Sequence, residues 1–188
     1  MRRQPYHRKN LAAAIRQHGR EVLETQGAAQ LSLRQLAKFL DVTPAAIYRH
    51  YPDKAALLAQ LHQDILADVT DQLAQGILTS PDAQTMLTRF VTNLLTYAKA
   101  HPQAIAFALT ASWPVPQSLQ TVLALYATQH HLTGVSPQAV AAVWTFLLGV
   151  LVQPQQPLTV DWTVSALKKL VAIPTLKASD SNETTDNF

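Results

Sequence analysis

Apolar residues recur along this chain at three- and four-residue intervals, and no run of alternating apolar and polar residues is bounded by turn chemistry. That pattern predicts an all-α fold. Leu11, Ile15, Val22 and Leu23 fall on one stripe of a helix over residues 8–26, closed by Gly27, with Arg16 and Arg20 off the stripe. Leu57, Leu58, Leu61, Ile65, Val69 and Leu73 mark a long helix over residues 54–75 with no glycine or proline before Gly76. Further on, Pro102, Pro114, Pro116, Pro137, Pro154 and Pro157 punctuate the chain, giving helices over 82–100, 103–111, 117–131, 137–153 and 160–172. The polar tail 177–188 has too little apolar surface to offset its ordering entropy and is predicted to be disordered.

Between the first helix and the long one, LSLRQLAKFLDVTPAAIYRHYPDKAALL holds three helix starts in succession. Ser32 can cap the first, with Gln35 completing a capping box and Leu31 with Leu36 forming a hydrophobic staple. Thr43 can cap the second, where Pro44 takes the first helical position and Val42 staples to Ile47. Asp53 can cap the third. Two short helices joined by Asp41-Val42-Thr43 make a bend whose inner side is apolar: Leu36, Ala37, Leu40, Val42, Ile47 and Tyr51.

An ordinary αα corner would show the same starts, and the outward face of the second helix is what points to double-stranded DNA. Its small first residues, Thr43, Pro44, Ala45 and Ala46, let its end approach base edges in a major groove, with Tyr48, Arg49 and His50 one turn behind. Arg34 can reach the same groove. Lys54 lies at a helix N-terminus, where free amides and side-chain charge together favour a phosphate.

Over residues 31–61 the sequence resembles the family of the tetracycline repressor (TetR), including the aromatic-x-His-aromatic run and the lysine that follows it. The resemblance implies that Arg34, Thr43, Pro44, Ala45 and Arg49 approach bases while Tyr48, His50 and Lys54 hold phosphates. Asp41 stands where that family usually has glycine, a departure that Asp tolerates because it enters the left-handed region more readily than most residues. The family also implies a dimerising, ligand-sensing body, and SPQAVAAVWTFLLGVLVQ is similar in placement to its main dimer helix. Val140, Val143, Trp144, Leu147, Leu148 and Leu151 occupy nearly every face of that segment, which must be enclosed by its own domain or by a symmetry mate. The histidine and acidic residue that serve drug-chelated magnesium in tetracycline-specific members have no match in 108–114 or 151–153, so tetracycline is not the expected ligand.

Charge sharpens the division. Residues 1–62 carry ten Lys or Arg against four Asp or Glu, a net +6, and residues 63–188 carry five against eight, a net −3. A basic N-terminal third on a mildly acidic body is the footprint of a phosphate-binding module. The expected division is a helix-turn-helix DNA-binding domain over 1–53, a helical regulatory and dimerisation domain over 54–176 led by the linking helix 54–75, and the tail. With no cysteine, disulfide frameworks and thiolate zinc sites are excluded. The most apolar window, residues 139–152, is shorter than the ~20 residues a membrane span requires. The basic N-terminus is not followed by an apolar run with a cleavage site, so a cytoplasmic location without membrane contact is expected.

Other chemistry is weakly marked. Asp64, Asp68 and Asp71 line one side of the long helix and are expected to form a solvated face rather than a cation site. His130 and His131 are adjacent and point apart on a helix. No phosphate loop, nucleophile elbow or Ser/His/Asp cluster is present, so neither an enzyme nor a cofactor or metal site is expected. Phe90, Leu94, Tyr97, Phe107, Trp113, Tyr126 and Trp144, each more naturally a core residue, could together line an apolar cavity, with Tyr97 and Thr110 as polar handles for a small-molecule effector. The expectation is a ligand-responsive repressor binding a palindromic operator as a homodimer. The alternative is a DNA-binding scaffold whose body serves dimerisation or protein interaction without an effector.

Overall fold

The computed structural model describes residues 10–132, 134–152 and 158–172. The predicted tail and the basic N-terminal residues 1–9 lie outside them. Among the described residues the chain is helical, without strands, in the order α1 (Leu11–Gln26), α2 (Leu33–Phe39), α3 (Pro44–Tyr48), α4 (Lys54–Ala74), α5 (Ala83–Ala100), α6 (Pro102–Ala108), α7 (Gln117–Gln129), α8 (Pro137–Val152) and α9 (Val160–Val171). A short 3-10 turn, Ala28–Gln30, follows α1. None of these helices is long and apolar enough to cross a membrane.

Helix α4 is the spine. Its stripe of Leu57, Leu61, Ile65, Val69 and Leu73 is buried throughout. The N-terminal part of that stripe meets α1, where Ile15, Gly19 and Leu23 are buried. A Cβ on Gly19 would stand 3.3 Å from a Leu61 methyl and 3.7 Å from one of Leu57, so the glycine lets the two helices come close. The C-terminal part meets α5, whose Leu87, Phe90, Val91 and Leu94 are fully buried and which also packs on α7 and α9. One apolar cluster therefore runs from Ile15 to Val171.

Two helices end before the expected residue. Helix α6 stops at Ala108 rather than 111, after starting at Pro102 with its ring at a position that needs no amide donor. Helix α7 stops at Gln129 because His131 turns left-handed (φ 54°) and the Leu132 amide bonds back to the Ala127 carbonyl at 2.9 Å, a Schellman closure. In α8, Val143, Trp144 and Leu147 are buried in the protomer's own core, while Val140, Leu148 and Leu151 are half-buried. Gln138, Ala141, Ala142, Thr145, Gly149 and Val152 face outward, and a side chain at Gly149 would meet nothing within 4 Å. Next to this face Trp162 of α9 is 50% exposed, its ring 5.9 Å from that of Phe146.

Candidate nucleic-acid interface

Helix α2 ends by the same closure as α7: the Val42 amide reaches the Ala37 carbonyl at 3.0 Å while Asp41 takes a left-handed φ of 54°. The chain then runs extended through Thr43, whose hydroxyl accepts from the Ala46 amide at 3.3 Å, with Pro44 opening α3. Asp53 caps α4 by accepting from the Ala56 amide at 2.7 Å. The capping box expected at Ser32 does not form: Ser32 sits extended at the N-cap of α2 but makes no side-chain cap bond. Burial of Leu31, Leu33 and Leu36 anchors that helix instead, the expected staple pair among them.

These local bonds divide the residues cleanly. Leu36, Ala37, Ala46, Ile47 and Tyr51 face the core, whereas Arg34, Thr43, Pro44, Ala45, Tyr48, Arg49 and His50 are all exposed, Tyr48 by 42%. Among the described residues no carboxylate pairs with Arg34 or Arg49, so both guanidiniums keep their donors for a ligand. Arg34, Tyr48 and Lys54 share the wall of a cleft of about 360 Å³ that also touches Ser32 and Asp53. Lys54 is half-buried and donates to the Ala29 carbonyl at 2.8 Å, which ties the start of α4 to the turn after α1. An ammonium has three donors, so this tether holds the charge in place and leaves two for a phosphate.

The joint between this head and the rest of the molecule is polar, and sequence reasoning missed it. Asp64 and Asp68 are not a merely solvated stripe. Arg16 pairs with Asp64 at 3.1 Å, and Arg20 donates through Nη2 to Asp68 at 2.6 Å and to the Tyr97 hydroxyl at 2.9 Å. The Tyr97 hydroxyl in turn donates to Asp68 at 3.0 Å. His101, at the end of α5, lies 3.2 Å from Glu24. Partial burial works against the charged form of Asp68, but the bonds from Arg20 and Tyr97 outweigh it and hold the carboxyl below its ordinary range. Burial first, with the bond to Asp68 adding to it, pushes the Tyr97 phenol up to about 12. The missed signal was the four-residue spacing of Arg16 and Arg20 matching that of Asp64 and Asp68 on a second helix.

The aromatic set belongs to the one apolar cluster, with Phe107 packed against it, and its members make different individual contacts. Phe90 and Leu94 lie fully buried in the core. Trp144 stands edge-on to Trp113 at 5.4 Å and donates its indole N–H to the Trp113 carbonyl at 3.0 Å. Phe107 meets the His62 ring edge-on, Thr110 is exposed and bonds the Phe107 carbonyl, and Tyr126 lies over His130. Tyr97 points its hydroxyl to the Arg20 joint. No group of three or more His, Cys, Asp or Glu able to hold a metal occurs among the described residues.

Residues 15–61 match the family model of bacterial regulatory proteins, tetR family. Nucleoid occlusion factor SlmA from two strains of Aliivibrio fischeri is 29% identical over 101 residues, 53% of this chain and 50% of the relative. The chain thus spans about half the length of the curated relatives it matches. Among solved structures, a protein of unknown function from Rhodococcus sp. RHA1 superposes with a TM-score of 0.69 at 21% identity, covering 89% of this chain and 97% of that one. RolR, solved with its ligand resorcinol, gives 0.63 at 13% identity, covering 88% and 89%. At these identities the structural likeness shows the fold.

Proposed function

We propose that this chain, whose residues 15–61 match the tetR family of bacterial regulatory proteins, is a DNA-binding repressor that binds a palindromic operator as a homodimer and is released by a small apolar or amphipathic effector. The observation that carries the DNA half is the exposed, uncompensated face formed by Arg34, Thr43, Pro44, Ala45, Tyr48, Arg49 and His50 on two short helices of fixed geometry. In this reading Arg34, Thr43, Pro44, Ala45 and Arg49 meet bases, and Tyr48, His50 and Lys54 meet phosphates. The outward face of α8 with Trp162 supports a symmetric helical seam, because small residues along Ala142, Thr145 and Gly149 let a second copy approach closely. In such a dimer the recognition helices must stand about 34 Å apart, and an effector acts by favouring a state of different spacing.

The experiment is a binding titration on enriched operator fragments at several salt concentrations. Arg49→Ala is expected to cost about 1–3 kcal/mol and relax base preference, while Lys54→Ala weakens all sequences alike and lowers the salt slope by about one. Equal loss of specificity in the two variants refutes the assignment. The seam is tested at Gly149 and Trp162 rather than at Leu147, which is buried in the protomer's own core. Gly149→Arg should yield folded monomers in sedimentation.

A second reading is favoured by the curated relative, which is described as a nucleoid occlusion factor. It makes the body an interaction scaffold without an effector. Compounds that saturate the body and leave operator affinity unchanged would decide for the scaffold.

A further inference from the structure

Beside the Arg20 joint a cleft of about 490 Å³ opens between α4 and α5, lined by Asp68, Gln72, Gln75, Asn93, Thr96 and Tyr97, with His101 at one end. Nearly every lining residue can hydrogen-bond: Gln72, Gln75 and Thr96 offer donors and acceptors alike, while Asp68 and Asn93 leave only acceptors free. Asn93 spends its amide donors on the last carbonyls of α4, at 3.2 Å to Gln72, 3.4 Å to Leu73 and 3.0 Å to Gln75, which leaves its own carbonyl for a ligand. Asp68 uses only Oδ2, for Arg20 and Tyr97, and its Oδ1 has no partner among the described residues. A carboxylate offers about four acceptor sites, so this one is engaged at a single corner and retains capacity.

The joint is already a guanidinium site, occupied by the head. Arg20 grips Asp68 through one nitrogen rather than a parallel pair, and its side chain is 27% exposed, so a path to solvent is open. A ligand bringing its own cationic donors could take the carboxylate without leaving it uncompensated, and Arg20 would move into water. An anion is opposed by Asp68 and by the carbonyl end of α4. An apolar molecule would strand the carboxamides and the Thr96 hydroxyl.

We propose that this cleft binds a small hydrophilic cation, a guanidinium or primary-ammonium compound with a hydrogen-bonding body, and that displacement of Arg20 reports its occupancy to the DNA-binding head. The reporting half rests on the operator-binding reading above, and the binding half does not.

Calorimetric titration of the full chain with agmatine, and with glucosamine as the hydroxylated probe, tests the site directly. Saturable binding is expected for at least one probe, weakened about tenfold or more by Asp68→Asn through loss of a charge-assisted bond. Thr96→Val, at an exposed position that leaves the fold intact, should weaken binding less. Arg20→Ala should tighten it by removing the competitor, while Arg16→Ala, whose Asp64 partner lies outside the cleft, should not. No binding by either probe, or binding indifferent to Asp68→Asn, overturns the site. In the second arm the binding probe should lower operator affinity of the wild type but not of Asp68→Asn, and constant affinity at saturation overturns the displacement. Failure of the unliganded protein to bind any DNA counts against the regulator reading, and calorimetry still decides the site.

Discussion

In the head, α2 and α3, of seven and five residues, are held by a left-handed turn and a cap, whereas α5 and α7 of the body, of 18 and 13 residues, are held by packing against their neighbours. Helices that short are unstable alone, since nucleation costs more than so few bonds return. Thr43, Asp41 and Lys54 therefore fix the recognition surface through individual bonds, and their loss should be felt locally. The body is fixed by volume, as around Phe90, and a change there spreads through everything packed against it.

The contrast is broken most forcefully at α4, which belongs to both regions. Leu61→Ala should cost about 2–5 kcal/mol in urea denaturation, because the cavity lies where α1 and α4 are closest. Tyr48→Ala, on the head's surface, should stay within about 0.5 kcal/mol while weakening DNA binding. If the two cost the same, the division between bond-fixed and volume-fixed regions is wrong. Removing a cap is the next smaller test: Asp53→Ala should cost about 1 kcal/mol, with faster amide exchange confined to the first turn of α4.

The smallest effect is electrostatic and concerns the joint. Asp68 titrates below the ordinary 3.8 in the folded protein, so its contribution to stability is present above that value and lost as pH falls through the folded one. The Asp68 side chain is 39% exposed, so solvent screening keeps the contribution below about 1 kcal/mol. Stability measured against pH should separate wild type from Asp68→Asn near neutrality and bring the curves together in acid. Curves that stay parallel into acid would remove the pair from the account.

The legibility of each part follows the range of the forces that set it. Thr43, Pro44, Asp53 and the left-handed Asp41 are visible in sequence because a cap or turn is decided within four residues. Ser32 misleads because an N-cap position does not oblige its hydroxyl to bond when burial of Leu31 and Leu36 already sets the helix. In α8 an apolar residue stands on nearly every face, and periodicity has no means to say that Val143 and Leu147 turn inward while Gly149 turns outward. The Arg20–Asp68–Tyr97 joint spans 77 residues of chain, and only the fold brings it together. For the same reason the seven aromatic and aliphatic candidates and Thr110 could be named but not assembled, and Tyr97 proved to face a different neighbour from Trp113.

The sharing of α4 has a consequence for folding and for turnover in the cell. Leu57 and Leu61 pack beside Gly19 of α1, in the same apolar cluster as Ile15 and Ile47, and form a floor for the head, while the same rod carries Val69 and Leu73 into the body's interior. A fragment ending at residue 53 would lose that floor and expose its apolar side, making it a substrate for proteases rather than a minimal DNA binder. Heat should correspondingly melt the protein in one calorimetric transition, with no plateau at which the head survives the body.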